Sequence, residues 1–177
     1  MTSQSLCMAC GLCCDGTLFG YVRLAPEDDR DLIASNSTKS ALDDEKFRQP
    51  CLGHQYRACT LYSRRPSTCK KYRCELLKKL SSNEVSYEEA RAIIMKTSIH
   101  ANDVRESLIG AVGKSNACLD DLYLLVKKSG DPAYNRLLLG YVALQVRLDK
   151  HFGKRFQVPG EQQTSQSTPH RFAVSSS

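Results

Sequence analysis

The chain has 177 residues and a formal net charge of +6, and its composition is that of an ordinary soluble globular protein apart from nine cysteines. This length suits one domain or a small module with a helical partner, and the longest apolar run, 137–144, is far too short to cross a bilayer, so we expect no membrane contact. The first six residues are polar and uncharged, which does not fit a secretory signal. We therefore expect the chain to stay in a reducing cytoplasm.

The cysteines are concentrated in the first 74 residues, where packing alone gives no reason to collect eight of them. They are Cys7, Cys10, Cys13, Cys14, Cys51, Cys59, Cys69 and Cys74. In a reducing compartment such a framework indicates metal binding rather than disulfides, and a bond between the adjacent Cys13 and Cys14 would be strained. All eight are therefore predicted metal ligands, whereas the isolated Cys118 is most simply a packed residue.

The first predicted elements are short. The apolar run 18–24 favours a strand. Pro26, followed by three acidic residues, predicts a helix to about Ala34. A polar loop at 35–40 precedes one more helical turn at 42–47.

Residues 51–62 are predicted to form a loop and a short strand around the metal. Pro66 then predicts a helix through Lys79. Cys69 and Cys74 are five residues apart, so they do not share one stripe of such a helix. Either they serve two sites, or the helix breaks between them.

The second half has strong helical signals. Ser86 and Glu89 form a capping-box pattern, and apolar residues recur at helical spacing up to Val112. A second helix follows from Leu119 until Gly130, and a third runs from Asp131-Pro132 to about Phe152. The predicted fold is mainly α with small irregular β elements. It comprises a cysteine-rich metal module (1–80), an antiparallel helical bundle (81–156) and a disordered tail (157–177).

The spacing of the first cysteines suits a single centre. Cys7, Cys10 and Cys13 are three residues apart, as in the cluster loops of bacterial ferredoxins and in the paired ligands of zinc knuckles. Gly11 supplies the backbone freedom that such a loop needs. Cys14 must face away from Cys13, which suits a second metal or an outer hydrogen-bonding role.

Eight thiolates divide naturally into two four-ligand sites. Two zinc ions, one iron–sulfur cluster plus one zinc ion, or one cluster with additional thiols all satisfy this count, and spacing leaves the three open. His54 is an alternative ligand in place of one thiol. His100 and His151 lie on predicted helices without paired ligands, so we interpret them as ordinary surface or core residues.

The positive charge is concentrated between residues 57 and 79, where eight basic residues face a single acid, Glu75. These cations can stabilise an anionic thiolate site. Alternatively, together with Tyr56, Tyr62 and Tyr72, they can contact nucleic acid. We favour the first interpretation because it requires no further partner.

The cysteine pattern resembles the YkgJ-type CxxCxxCC family, whose members are described as zinc- or iron-chelating proteins. The resemblance covers about residues 7–74 and rests on two motifs, Cys7-x-x-Cys10-Gly11-x-Cys13-Cys14 and Cys59-Thr60-Leu61-Tyr62-x-x-Arg65-Pro66-x-x-Cys69-Lys70-x-Tyr72-x-Cys74. It implies a bound metal. Members often carry an aromatic residue or proline soon after the cysteine that matches Cys51, where this chain has Leu52-Gly53-His54.

A related cysteine module occurs in flagellin lysine-N-methylases, where an iron–sulfur cluster is implied, and this favours iron over zinc. No glycine-rich loop that could hold S-adenosylmethionine follows a strand here. The sequence thus predicts a metal- or cluster-binding protein with a structural, electron-carrying or metal-delivering role, in which Arg65 is a cation beside the site and Pro66 starts a helix. The alternatives are a metal-dependent modifying or redox enzyme and a nucleic-acid-binding protein. An unidentified protein partner could use the outer faces of the bundle.

Overall fold

The computed structural model describes residues 3–35, 42–43, 46–55 and 58–153. Within these ranges the chain is mainly α with small antiparallel strand pairs, which confirms the predicted fold class. The helices are α1 (Ser3–Cys10), α2 (Arg30–Ser35), α3 (Ser67–Lys71), α4 (Glu75–Ser81), α5 (Tyr87–Val112), α6 (Leu119–Ser129) and α7 (Asn135–Phe152). The strands are β1 (Tyr21–Arg23), β2 (Leu42–Asp43), β3 (Lys46–Arg48), β4 (His54–Gln55) and β5 (Ala58–Cys59), and 3₁₀ turns cover Tyr62–Arg64 and Pro132–Tyr134.

The helical half (residues 82–153) follows its local signals closely. The predicted capping box is present at the start of α5, where Ser86 accepts a hydrogen bond from the Glu89 amide and the Glu89 carboxylate accepts one from the Ser86 amide. Gly113 and Gly130 end α5 and α6 in the left-handed conformation. The three predicted helices are confirmed.

The helices α5, α6 and α7 pack around a core of fully buried leucines, among them Leu108, Leu122 and Leu144. Tyr141, predicted to face inward, is buried and stacks on Tyr123 with 4.1 Å between ring centroids. Its hydroxyl donates a 2.6 Å hydrogen bond to the Asp120 carboxylate. This pairing satisfies the only polar group of a large buried side chain.

The cysteine-rich half (residues 3–81) contains a three-stranded antiparallel sheet in the order β1-β3-β2. The helical turn predicted at 42–47 is wrong, because Phe47 lies on β3 opposite both Val22 and Leu42. Val22, Phe47 and Ile33 of α2 form a small second core. Pairing between distant strands thus overrides the weak local helix preference.

Two further boundaries differ from the prediction. The helix expected from Pro26 begins only at Arg30, since the Asp28 carboxylate accepts a hydrogen bond from the Ala25 amide and so holds the intervening residues in a turn. The Asp29 carboxylate then accepts one from Leu32 at the helix start. The helix predicted from Pro66 to Lys79 is two helices, α3 and α4, and the break that we had considered between Cys69 and Cys74 is present.

The two halves share one hydrophobic core. Leu6, Leu12 and Leu18 are buried in the same cluster as Leu76 and the leucines of α5–α7. The boundary at residue 80 between module and bundle stays a prediction, and the predicted tail, 157–177, lies outside the described residues. In the described ranges, no helix combines the length and apolar character needed to cross a membrane.

Candidate metal centre

The predicted ligands come from five separate segments of the cysteine-rich half. Cys7 and Cys10 lie on α1, which the sequence did not predict to be helical, and Cys13 and Cys14 lie in the turn that follows it. Cys51 precedes β4, and Cys59 ends β5. The last two follow in the α3–α4 region, Cys69 within α3 and Cys74 at the N-cap of α4. All nine cysteines of the chain are free thiols.

One cavity of about 830 Å³ collects the predicted ligands. Every cysteine of the cysteine-rich half contributes to its wall: Cys7, Cys10, Cys13, Cys14, Cys51, Cys59, Cys69 and Cys74. Cys118 does not; it is buried against Gly16 and Gly20 at the N-cap of α6, as expected for a packed residue. The rest of the wall is largely apolar and includes Phe19 and Tyr72, whose rings meet edge to face at 4.9 Å.

Gly11 forms the turn between the two pairs of thiols. Its φ of +71° ends α1, and its carbonyl accepts hydrogen bonds from the amides of Cys14 and Asp15. A Cβ atom at this position would lie 2.4 Å from Nε2 of His54, so the imidazole packs directly against the glycine backbone. The predicted need for glycine is therefore both conformational and steric.

His54 is the predicted alternative ligand, and it lies in the cavity wall. Its Nε2 atom is buried and finds no hydrogen-bond partner among the residues that the structure describes. Buried polar atoms without a partner are rare in folded proteins, and a bound ion is one recognised explanation. The histidine thus fits a metal site, as a ligand or as a neighbour of one.

Burial controls the charge of the thiols. It raises the pKa of Cys10 and of Cys69 to about 12 in each case, and it raises the pKa of Cys13 and Cys14 as well. At neutral pH these groups are therefore protonated until a metal ion takes the place of the proton. Burial also raises the pKa of Tyr72, and negative charge on the nearby Cys13 and Cys74 raises it further when those thiols are ionised.

Two arginines oppose this effect at one side of the cavity. Burial raises the pKa of Cys7, while the positive charges of Arg65 and Arg73 lower it in part. Arg65 lies 3.7 Å from the centre of the Tyr62 ring and donates a hydrogen bond to the Tyr62 carbonyl. Arg73 donates to two carbonyls within its own turn.

These arginines are therefore held beside the thiols by contacts within the chain. Such an arrangement fits the favoured interpretation of the basic segment, in which cations stabilise an anionic metal site. Arg64 of the same segment is likewise engaged, by a 2.6 Å ion pair with Asp29.

The donor set fits zinc or iron, since thiolates are soft ligands that suit both metals. The geometry is not that of a completed ligand shell: among the described side chains, no group of three or more His, Cys, Asp or Glu is arranged to hold a metal ion as it stands. Metal binding therefore requires rotation or shift of the cysteine side chains that surround the cavity.

Comparison with known proteins agrees with this chemistry. The model of the CxxCxxCC family, described as "Putative zinc- or iron-chelating domain", matches residues 6–106. The chain belongs to this family. The match to the CxxCxxCC family extends beyond the motifs, through α4 and well into α5, so it covers helices as well as cysteines. No curated protein and no solved structure matches the chain.

Sequence reasoning missed three contributors to the centre. The helical state of Cys7 and Cys10 carries only a weak local signal, because α1 has no acidic residue in its first turn. Arg73 was counted among the basic residues but not connected with Cys7. Arg105 of α5 fixes the turn after the motif by donating to the Asp15 carbonyl at 2.8 Å and to the Thr17 hydroxyl at 3.1 Å. No sequence pattern announces a contact between residues 90 positions apart.

Proposed function

We propose that this protein binds iron in the form of an iron–sulfur cluster through the thiolates of its cysteine-rich half. The observation that carries the proposal is the distribution of sulfur: all the cysteines of that half line one cavity, and Cys118 lies outside it. The lining is largely apolar, and such surroundings control solvent access to a cluster. Zinc bound by the same thiolates is the alternative.

The cavity volume of about 830 Å³ leaves room for a cluster among the thiols. A zinc ion in a structural site is enclosed by its four ligands and needs no further space. A cluster contains several iron and sulfide atoms, so it requires a larger opening among the thiols.

The role that fits these features is electron transfer. An iron–sulfur cluster supplies one-electron redox chemistry when bound, with a potential set by charge, hydrogen bonds and solvent exposure. The chain contributes apolar walls that limit water, and Arg65 and Arg73 contribute positive charge beside Cys7. Metal delivery and a purely structural role remain the alternatives within the same class.

The test is anaerobic purification of the full chain, followed by elemental analysis and absorption spectroscopy. We expect iron and acid-labile sulfide, with broad absorption near about 400 nm from thiolate-to-iron charge transfer that decreases on reduction. A colourless protein that contains zinc would indicate that the thiolates bind zinc and not a cluster. A chain without any bound metal would refute the proposal.

An enzymatic role is a second candidate, because a cavity of this volume falls within the size range of small-molecule sites. Such an enzyme needs a coordination position that a substrate can occupy. Addition of azide or nitric oxide to the metal-loaded protein would reveal that position through a changed electron paramagnetic resonance spectrum. An unchanged spectrum would favour a fully ligated, electron-carrying centre.

A further inference from the structure

We infer that the cavity contains two separate four-thiolate sites and not one site with spare thiols. The first, here called the core-side site, comprises Cys7, Cys10, Cys13 and Cys74. The second, here called the sheet-side site, comprises Cys14, Cys51, Cys59 and Cys69. This assignment rests on the proposed metal-binding function and specifies which thiols act together.

The first argument is packing, since six of the eight cysteines lie against one of two different hydrophobic cores. Cys74 is buried in the main core, and the half-buried Cys7, Cys10 and Cys13 pack against the same core. Cys51 and Cys69 instead pack against the small core of Val22, Ile33 and Phe47. The core-side group and half of the sheet-side group are thus positioned by different parts of the fold.

The second argument is backbone connectivity around the sheet-side site. The carbonyl of Cys14 accepts a 2.8 Å hydrogen bond from the amide of Cys51, and the carbonyl of Cys51 accepts one from His54. His54 is in turn paired with Cys59 across the β4–β5 ladder. One chain of backbone contacts therefore joins three members of this site. Cys13 precedes Cys14 directly, so the boundary between the sites falls at this peptide bond.

The third argument is the break between α3 and α4, which separates Cys69 from Cys74. Helix α3 is tied to the sheet, because Thr68 donates a hydrogen bond to the Arg23 carbonyl of β1 at 2.8 Å. Helix α4 is tied to the main core through the buried Leu76 and Leu77. Residues five positions apart do not share one face of a single helix. Because Cys69 and Cys74 lie on two separate helices, they can belong to two different sites.

The two sites also adjoin each other. All eight thiols line one cavity, and Cys13 and Cys14 are consecutive residues that fall on either side of the boundary. The two proposed sites therefore lie side by side.

The test compares single variants of the full chain, purified anaerobically: Cys10→Ala and Cys74→Ala for the core-side site, Cys59→Ala and Cys69→Ala for the sheet-side site, and Cys118→Ala as control. We expect each variant to lose the metal of its own site and to keep that of the other, by elemental analysis and absorption. The double variant Cys10→Ala/Cys74→Ala should lose no more than either single variant. Cys10→Ala/Cys59→Ala should lose all bound metal, and Cys118→Ala none.

A within-group double variant that loses more metal than its single variants, or a cross-group double variant that loses no more than its single variants, would overturn the assignment while leaving metal binding intact. Wild-type protein without metal would instead refute the proposed function. Should a variant fail to fold, alkylation of wild-type thiols during stepwise chelator treatment gives the same information. Two successive groups of four newly reactive cysteines support the two sites, and protection of only four thiols refutes them.

Discussion

The cysteine-rich half and the helical half are held together by different means. The helical half consists of three helices of 26, 11 and 18 residues, of which the first begins with a capping box and the first two end at left-handed glycines. All three contribute buried apolar side chains to the main core. In the cysteine-rich half, no described element exceeds eight residues, and its own small core contains three buried side chains. The comparison shows that the helical half is specified by local signals and apolar burial, whereas the cysteine-rich half depends on contacts with distant parts of the chain.

These contacts lie at the junction between the cysteine-rich half and the helical half. Leu6, Leu12 and Leu18 extend from the cysteine-rich half into the main core. The amide of Leu119 at the start of α6 donates a 2.9 Å hydrogen bond to the Gly16 carbonyl. The helical half therefore acts as the support on which the loops that carry the thiols are ordered, and the proposed metals would complete that ordering.

The largest effect should follow from removing support at the centre of the bundle. Leu144 is fully buried, so Leu144→Ala should lower the free energy of unfolding by about 2–5 kcal/mol. Because both halves share this core, we also expect weaker metal retention. Urea denaturation followed by far-ultraviolet circular dichroism, with metal analysis of the same samples, measures both.

The exposed Leu139 on the same helix provides the control, since its side chain is 68% accessible. Leu139→Ala should change stability by no more than about 0.5 kcal/mol. If Leu144→Ala destabilised the bundle while metal content stayed unchanged, the cysteine-rich half would be less dependent on it than the shared core indicates.

The junction itself is sensitive at Arg105, whose guanidinium also donates to the Ala117 carbonyl at 3.2 Å. Its side chain is 17% exposed, and Thr17, one of its acceptors, is buried. Arg105→Met should cost about 1–3 kcal/mol, because it leaves buried acceptors without a donor. Thermal unfolding at constant metal content measures the change.

Arg48 offers a matched control, since it also connects the halves, by a 3.2 Å ion pair with Asp121. That pair is exposed, so Arg48→Met should cost at most about 1 kcal/mol. Equal losses of stability in Arg105→Met and Arg48→Met would show that burial does not determine how much each of these two contacts stabilises the junction.

The same contrast explains what the sequence could predict. Capping residues and helical spacing act within a few positions, so α5, α6 and α7 could be derived from Ser86, Gly130 and their neighbours alone. The strand β3 could not, because Phe47 takes its conformation from Val22, a residue 25 positions away. Likewise the eight cysteines predicted as ligands all line one cavity, although their role as ligands stays a prediction. Their proposed grouping depends on the packing of α3 and α4 against different parts of the fold, which no spacing rule contains.

The turn at Gly11 should be the most sensitive backbone position of the thiol motif. Gly11→Ala introduces a Cβ at a φ of +71° and places it 2.4 Å from His54 Nε2. The left-handed conformation alone costs about 1–2 kcal/mol for alanine. We expect this loss together with reduced metal content, because His54 and the sheet-side thiols must shift.

Gly113 is the control for a left-handed glycine without a close contact. Its φ is +68°, and among the described residues, apart from its immediate chain surroundings, no heavy atom lies within 4 Å of an added Cβ. Gly113→Ala should show a comparable loss of stability and retain its metal. Should Gly11→Ala retain metal equally well, the contact with His54 would be irrelevant to the centre.

The smallest predicted effect concerns Cys118, the cysteine of the helical half. Burial raises its pKa to about 11 from an ordinary value of 9.0, so the folded state holds the proton more tightly than the unfolded chain does. This contribution to stability is complete below pH 9 and is lost as the pH rises from there toward 11. Between pH 7.5 and pH 10, the stability advantage of wild type over Cys118→Ala should therefore fall by about 1 kcal/mol. Urea denaturation of both chains at the two pH values measures it, and an advantage that stayed constant or grew with pH would contradict the burial of this thiol.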